Sequence, residues 1–325
     1  MEYQFEVSKI LGSINEVYVG KEEKVRQAVL TLLAGGHLLL EDVPGVGKTT
    51  LANALAKTMN CDFGRIQFTP DTLPSDITGL SIYNMQTGKF EYSKGAIMHH
   101  VILADEINRT SPKTQASLLE AMEEGQVTVD GNVIALEPPF MVIATQNPVD
   151  FLGTYNLPEA QLDRFMLKIS LGYPSKESEG KMASNFLKGK HYKEIKPVVD
   201  KETILKMQKE VTEVSIHDDL INYIIQIVDA TRHTDQLLLG ASPRATLALI
   251  RASQAEAYMD HRDYVIPDDI REVMNPVICH RLVLSMEAKM SKLQPEDVLK
   301  ELIRKIPVPI FKNTALVKEL GKMHP

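Results

Sequence analysis

A glycine-rich stretch after an apolar run constrains the fold of this chain more than any other feature. The run Leu38-Leu39-Leu40 predicts a buried strand, and the segment EDVPGVGKTT (41–50) separates it from an apolar segment that predicts a helix. Strand, glycine-rich turn and helix in this order are the context of a phosphate-binding loop. Gly45 and Gly47 allow successive N–H groups to converge on phosphate oxygens, and the helix start adds the positive end of its dipole. The chain is therefore predicted to bind a nucleotide.

Individual loop residues have separate predicted roles. Lys48 has the length to reach the β- and γ-phosphates, and Thr49 offers a hydroxyl to Mg²⁺. Asp42 departs from the general pattern, which has glycine at this position. A turn that binds nothing is the alternative interpretation. The predicted nucleotide-binding residues of the loop are Pro44, Gly45, Val46, Gly47, Lys48, Thr49 and Thr50.

Composition excludes several classes of protein. The chain has 325 residues, of which 44% are hydrophobic and 24% charged, so it can bury a sizeable core. A net charge of −7 gives no overall attraction to nucleic acid or to an anionic membrane. We expect no signal peptide and no membrane span. Two isolated cysteines, Cys61 and Cys279, favour a reducing compartment, so we expect a cytoplasmic protein without a disulfide framework.

The chain divides into two predicted domains near residue 173. Apolar strands alternate with helices up to that point, which predicts a five-stranded parallel α/β sheet covered by helices on both faces, within a domain of residues 1–173. Beyond it, residues 174–325 show only helical patterns and predict an all-helical domain. Strands are predicted near 38–40, 65–68, 101–104, 140–144 and 165–169. Helices of the second domain are predicted near 175–188, 201–212, 217–232, 243–260, 267–280 and 295–305. Hairpins are predicted within 79–96 and 126–135.

An acidic pair ends the predicted strand at 101–104. Asp105 and Glu106 would lie at the carboxyl edge of the sheet, where open α/β sheets bind their ligands. Asp105 is predicted to hold Mg²⁺ through water, and Glu106 to orient or deprotonate an attacking water. The alternative is that the pair only caps the following segment. Arg109, shortly afterwards, either bridges subunits or pairs with a surface acid.

Three further polar residues fit the chemistry of phosphoryl transfer. Asn147 ends the next strand and is predicted to position the water or to contact the γ-phosphate. Arg164 precedes the fifth strand, either as an arginine finger that enters a neighbouring subunit's site or as an ion-pair partner of an acid such as Asp163. Arg244 opens a helix, where its charge opposes the helix dipole and requires an anionic partner such as a nucleotide phosphate.

These motifs, in their order and spacing, resemble those of the AAA+ ATPases, and their sequences are similar to those of the MoxR family. The resemblance rests on four segments, EDVPGVGKTT, LADEINRTSPKTQASLLEAMEEGQVTVDG, ATQNPVDFLGTYNLPEAQLDRF and GASPRA. The resemblance covers nearly the whole chain. It implies that ATP or ADP and Mg²⁺ are the cofactors, with Thr49 and Asp105 as the metal residues and Val19 and Gly20 against the adenine.

The resemblance also assigns names to the remaining sites. It implies Walker A at Lys48 and Thr49, Walker B at Asp105 and Glu106, and sensor 1 at Asn147. It implies the arginine finger at Arg164 and sensor 2 at Arg244, which serves either its own or a neighbour's nucleotide. Segments 79–96 and 126–135 resemble the helix-2 insert and the pre-sensor-1 hairpin of one AAA+ clade.

The same resemblance implies partners and an assembly. Related proteins form rings, typically hexamers, and act as chaperone-like ATPases that activate partner proteins, often with a von Willebrand factor A domain protein. The ATPase subunit of a metal chelatase is the main alternative. A DNA motor is less favoured because the second hairpin has an acidic tip at Asp130. A nucleotide switch without turnover is disfavoured because Glu106, Asn147 and Arg164 are all present.

Overall fold

A computed structural model describes residues 1–147, 155–187 and 195–309. Its strands are β1 (Leu38–Glu41), β2 (Phe63–Gln67), β3 (Gly79–Asn84), β4 (Lys89–Lys94), β5 (Val101–Asp105), β6 (Gln126–Val129), β7 (Asn132–Ala135), β8 (Met141–Gln146), β9 (Leu167–Ile169), β10 (Leu237–Leu239) and β11 (Val283–Leu284). Its α-helices are α1 (Glu6–Val17), α2 (Glu22–Leu33), α3 (Lys48–Thr58), α4 (Pro74–Thr78), α5 (Pro112–Glu124), α6 (Glu159–Leu162), α7 (Lys176–Leu187), α8 (Lys201–Glu213), α9 (Asp218–Ala230), α10 (Pro243–Met259), α11 (Pro267–Ile278), α12 (Met286–Met290) and α13 (Pro295–Arg304).

The central sheet confirms the predicted five parallel strands. Its order is β2-β5-β8-β1-β9, and every neighbouring pair is parallel. All five strands therefore end at the same edge of the sheet. The phosphate loop follows β1 at this carboxyl edge, and the acidic pair lies there at the end of β5. The segment that contains Arg164 lies at the opposite, amino edge, because it precedes β9.

Alternating side chains of the sheet pack into two separate cores. Leu38 and Leu40 face a core that also contains side chains of α1, α2 and α3. Leu39, between them, faces the second core, which contains side chains of α5. This alternation is the period of two that a strand buried on both faces imposes. The first core continues into α8 to α11, so the helical domain packs on one face of the sheet.

Two antiparallel hairpins project from this framework. Strands β3 and β4 pair over their full lengths, and β6 pairs with β7 across the Asp130-Gly131 turn. Both turn residues have positive φ, of 51° and 79°, which matches the twist of a tight hairpin. The first hairpin exposes apolar side chains, among them Met85 and Phe90.

The helical domain contains elements that the sequence patterns did not predict, among them the short helix α12 and a pair of short strands. The predicted helices lie within one or two residues of α7, α8, α9, α10, α11 and α13. A two-stranded antiparallel ladder between β10 and β11 joins segments that are distant in sequence. Two or three residues in a strand are too few for a periodic pattern to be visible. Residues 148–154, 188–194 and 310–325, which the predictions also cover, lie outside the described residues.

Candidate nucleotide site

The loop at the carboxyl end of β1 has the backbone geometry that phosphate binding requires. Gly45 and Gly47 both have positive φ, of 88° and 91°, and Gly47 forms the N-cap of α3. A side chain in place of hydrogen at Gly47 would lie 3.2 Å from the ring of Tyr18. Lys48 Nζ donates to the carbonyl oxygen of Asp42 at 3.0 Å. The first N–H groups of α3 point out of the helix, so the loop presents donors and a cation to an anion.

Asp105 and Glu106 lie at the same edge and share one hydroxyl group. Thr145 Oγ1 donates to Asp105 Oδ1 at 2.7 Å and accepts the N–H of Glu106 at 2.8 Å. Glu106 has a left-handed backbone, with φ 58° and ψ 49°. The second Asp105 oxygen accepts Arg65 Nη2 at 2.6 Å. The pair is therefore held by specific contacts to Thr145 and Arg65.

Two neighbours of Glu106 set the direction of its carboxylate. Gln67 Nε2 donates to Glu106 Oε2 at 3.0 Å, and Arg109 Nε lies 3.4 Å from the same oxygen. The register of β2 with β5 places Gln67 opposite Asp105. The sequence analysis did not include Gln67 among the site residues. Its only signal there is a polar side chain near the end of a predicted strand. Of the two interpretations of Arg109, the structure supports pairing with an acid, and that acid is Glu106.

Asn147 lies between the loop and the acidic pair. It follows β8, which is the neighbour of both β1 and β5, and it is buried. Its carbonyl oxygen accepts Asn108 Nδ2 at 3.4 Å. Lys48, Asp105, Glu106 and Asn147 are therefore gathered at one edge of the sheet, as their positions after three strands predicted.

Arg164 and Arg244 lie at the other edge of the sheet, and both contact Glu123 in the last turn of α5. Arg164 Nη2 is 3.2 Å from Glu123 Oε2, and Arg244 Nη2 pairs with Oε1 of the same carboxylate. The three residues line a cleft of about 510 Å³ with Arg251 and Arg281. The acid that pairs with Arg164 is thus Glu123, whereas the sequence suggested Asp163. Glu123 also supplies an anionic partner for Arg244 within the chain.

Asp163 instead joins the segment that contains Arg164 to the helical domain. Its carboxylate accepts Arg281 Nε at 2.7 Å and Ser242 Oγ at 2.7 Å. The Arg281 side chain is only 3% exposed and also donates to the carbonyl oxygens of Asp163 and Phe165. Burial lowers the pKa of the Arg281 guanidinium, and the Asp163 carboxylate opposes that shift. Ser242 caps α10, so this contact also places Arg244, two residues later.

Comparisons with known proteins identify the family of this chain. The profile described as "ATPase family associated with various cellular activities (AAA)" matches residues 37–167, and an AAA lid domain profile matches 229–302. Chaperone MoxR1 of Mycobacterium tuberculosis is 38% identical over 312 residues, which cover 93% of this chain and 82% of that protein. The chain belongs to the MoxR family of AAA+ ATPases.

Further matches extend over nearly the full length of this MoxR-family chain. The uncharacterized protein YeaC of Bacillus subtilis (strain 168) is 51% identical over 317 residues, or 96% of this chain and 99% of that one. A crystal structure of a candidate ATPase from Cytophaga hutchinsonii at 2.00 Å superposes with a TM-score of 0.89 and 41% identity, covering 95% of this chain and 96% of the other. The chain is thus an ATPase with an AAA+ domain and a helical lid. The two profiles leave 168–228 between them, so the boundary at 173 stays a prediction.

The residues predicted to hold magnesium fit that ion. A hydroxyl at Thr49 and a carboxylate at Asp105 are hard oxygen donors at the same edge of the sheet, and Mg²⁺ prefers such ligands together with phosphate oxygens and water. Asp105 already has partners in Arg65 and Thr145, which fix its orientation. Among the described residues, no cluster of three or more His, Cys, Asp or Glu side chains offers a separate metal site.

Val19 and Gly20 line a cleft of about 360 Å³ between the end of α1 and α7. The ring of Tyr18 forms the inner wall, since a side chain at Gly20 would collide with it. Burial and the nearby Asp42 carboxylate raise the pKa of Tyr18 to about 12, so its hydroxyl stays protonated. The cleft therefore lies beside the phosphate loop in this MoxR-family ATPase.

In the described ranges, no helix combines the length and the apolarity that crossing a membrane requires.

Proposed function

We propose that this ATPase hydrolyses Mg²⁺-bound ATP at a site that two copies of the chain complete together. Lys48 and the loop N–H groups bind the phosphates, Val19 and Gly20 contact the adenine, and Asn147 orients the attacking water. Glu106 accepts the proton of that water, in a position that its bond from Gln67 holds. Thr49 and Asp105 would hold Mg²⁺, which when bound neutralises charge on the phosphates.

One observation supports the proposal that two copies share the site. Arg164 and Arg244 both pair with the Glu123 carboxylate, at the amino edge of the sheet. The phosphate loop lies at the carboxyl edge, and strand β1 between the two edges spans about 13 Å at roughly 3.3 Å per residue. Arg164 and Arg244 are therefore better placed to act on a neighbour's nucleotide than on their own. The four arginines of the cleft exceed its two acids, which favours an anionic ligand there.

A site completed by a neighbour implies an assembly of several copies. A surface that carries the loop and a different surface that carries the arginines form a heterologous interface, and such interfaces generate rings where the rotation between subunits closes. We infer a ring, a hexamer by family precedent, in the cytoplasm. Both cysteines are buried and unpaired, which suits a reducing compartment.

The work of the ring is proposed to be chaperone-like remodelling of a partner protein. The relative named Chaperone MoxR1 supports this assignment. The exposed apolar hairpin of β3 and β4 offers a surface that ATP-driven movement could press against a client. We propose a von Willebrand factor A domain protein as the companion. A metal-chelatase ATPase subunit remains the second candidate, and a DNA motor is disfavoured by the acidic tip at Asp130.

A mixing experiment tests the shared site. Chains with Arg164→Ala keep Glu106 but supply no finger, and chains with Glu106→Gln supply the finger but cannot hydrolyse ATP. In a ring mixed one to one, about a quarter of the interfaces join an intact Glu106 to an intact Arg164. We expect ATPase activity to recover toward that fraction of wild type. Repeating the mixture with Arg244→Ala tests that residue in the same way.

The control is a chain that carries both Arg164→Ala and Glu106→Gln, mixed with the Arg164→Ala chain. No interface in that mixture contains an intact Arg164, so its activity must stay at or below that of the Arg164→Ala variant alone. If the mixture of the two single variants never exceeds this control although the subunits exchange, the arginine acts within its own chain and the proposal fails.

A further inference from the structure

Asp42 occupies the position where the general phosphate-loop pattern has glycine, and its carboxylate is buried. The residue is 5% exposed. A buried carboxylate is costly unless several donors bind it. Three donors do: Ser170 Oγ at 2.8 Å, the N–H of Leu171 at 2.6 Å and the N–H of Gly172 at 3.0 Å. Every one of them belongs to the segment that leaves β9.

The strand register explains why the two segments meet. Leu40 of β1 pairs with Ile169 of β9, so the residues that follow each strand lie side by side. The ladder between the two strands ends there, and the Asp42 side chain continues the connection beyond it. Gly172 turns the chain with a φ of 67°, and α7 begins at Lys176, four residues later.

The main chain of Asp42 has a different partner. Its carbonyl oxygen accepts Lys48 Nζ at 3.0 Å. A single residue thus contacts the ammonium group proposed to bind phosphate and the segment that leads into α7. Helix α7 forms the outer wall of the cleft at Val19 and Gly20, through Ser178 and Lys181.

We propose that Asp42 is a positioning residue that connects the two ends of the nucleotide site. By holding residues 170–172 against the phosphate loop, Asp42 fixes α7 over the cleft at Val19 and Gly20, the proposed site of the nucleoside. Lys48 binds the phosphates at the other end. This inference rests on the proposed function of the loop and of the cleft. Glycine at this position would restore the general loop pattern but would break the connection, so it should weaken the contribution of the nucleoside to binding.

The test compares two anions in the full-length chain: Mg·ATP and Mg·tripolyphosphate, which lacks the nucleoside. Wild type is expected to bind ATP more tightly than tripolyphosphate. In Asp42→Gly we expect the dissociation constant of ATP to rise about tenfold or more, and that of tripolyphosphate to change less than threefold, because only nucleoside contacts are misplaced. The KM for ATP should rise in parallel while kcat stays within about threefold.

Three further variants make the result specific. Asp42→Asn keeps the shape of the side chain but leaves one N–H without an acceptor, so it should show the same selective loss and serves if the glycine variant does not fold. Ser170→Ala removes one donor and keeps both main-chain bonds, so its loss of ATP affinity should be smaller than that of either Asp42 variant. Lys48→Ala should weaken both anions.

The outcomes separate this inference from the function beneath it. An equal loss of ATP and tripolyphosphate binding in both Asp42 variants, or no loss of either, overturns the role of Asp42. If Lys48→Ala still binds ATP tightly, or if wild type does not prefer ATP over tripolyphosphate, the proposed nucleotide site itself is wrong, and this inference falls with it.

Discussion

At the residue scale, Thr145 holds the acidic pair in its working geometry. Glu106 adopts a left-handed backbone conformation, which costs a residue other than glycine roughly 1–2 kcal/mol. Such strain persists only where the surroundings impose it. The buried hydroxyl of Thr145 does so, since it binds the N–H of Glu106 and the carboxylate of Asp105 together.

We therefore predict that Thr145→Val, which keeps the volume and removes the hydroxyl, lowers kcat by about tenfold or more, because Glu106 loses its fixed position. The change should also destabilise the fold by about 1–3 kcal/mol, since it leaves a buried N–H without an acceptor. Steady-state ATPase assays and urea unfolding measure the two effects. Thr145→Ser retains the hydroxyl and should recover most of the rate; a serine variant as slow as the valine variant would contradict this role.

At the scale of elements, His37 connects the start of β1 with its neighbour β8 and with the end of α5. Its Nε2 donates to the carbonyl oxygen of Met122 at 3.0 Å, and its Nδ1 accepts the N–H of Val142 at 3.0 Å. Only the neutral ring can make both bonds, because protonation would turn the acceptor into a second donor. Burial accordingly lowers the pKa of His37 to about 4, against a smaller opposing effect of the Met122 bond.

The lowered pKa of His37 predicts how stability depends on pH. Below about pH 6.5 the unfolded chain takes up a proton at His37, while the folded chain resists protonation down to about pH 4. The unfolded state binds more protons in this window, so the free energy of unfolding falls as pH falls, by up to about 1.4 kcal/mol per pH unit and about 3 kcal/mol in all. Above pH 6.5 this contribution is constant.

Urea unfolding at pH 7.5, 6.0 and 5.0 measures this loss. Burial also lowers the pKa of His280, so this residue changes the pH dependence of stability in the same direction. The contribution of His37 is therefore isolated by comparing wild type with a variant that lacks only His37. His37→Asn removes one titrating group and should flatten the curve, although it lowers stability at pH 7.5. Parallel curves for the two proteins would mean that His37 does not titrate as its contacts indicate.

At the scale of the whole molecule, the sheet separates two edges that carry different candidate site residues. The carboxyl edge carries the loop and the acidic pair, and the amino edge carries Arg164 and Arg244. The Asp163–Arg281 pair joins the lid to the amino edge, so a shift of the lid would displace the segment that contains Arg164. A ring in which each edge meets the opposite edge of a neighbour would connect hydrolysis at one site to the lid of the next chain.

Partner capture tests the proposed chaperone role at this scale. Glu106→Gln should hold ATP without hydrolysing it and so accumulate the partner-bound state. Used as bait in native cells, it should retain a von Willebrand factor A domain protein, and Lys48→Ala should retain little of it. Nuclease treatment is the control for nucleic acid. Capture of DNA that nuclease abolishes, without any such protein, would favour the motor alternative.

Several features of this protein could be predicted from local patterns alone. The apolar runs predicted the five strands, and Gly45, Gly47 and Lys48 predicted the phosphate loop, because backbone conformation and helix starts depend on neighbouring residues. The position of Asp105 after a strand was enough to place it beside the loop, since parallel strands end at one edge. The ladder of β10 and β11 was missed because its strands are very short.

Contacts between distant residues were decided only by the tertiary structure. Arg244 and Glu123 are 121 positions apart, and no local pattern specifies which of the 43 acidic residues the arginine meets. The burial of Asp42 depends likewise on the pairing of β1 with β9, more than 120 residues away. The sequence alone determined that this chain binds and hydrolyses a nucleotide, because that chemistry needs a few residue types at short spacings. Arg164 lies at the amino edge because it precedes β9, whereas Arg244 reaches the same edge only through the packing of the lid, which is a property of the whole fold.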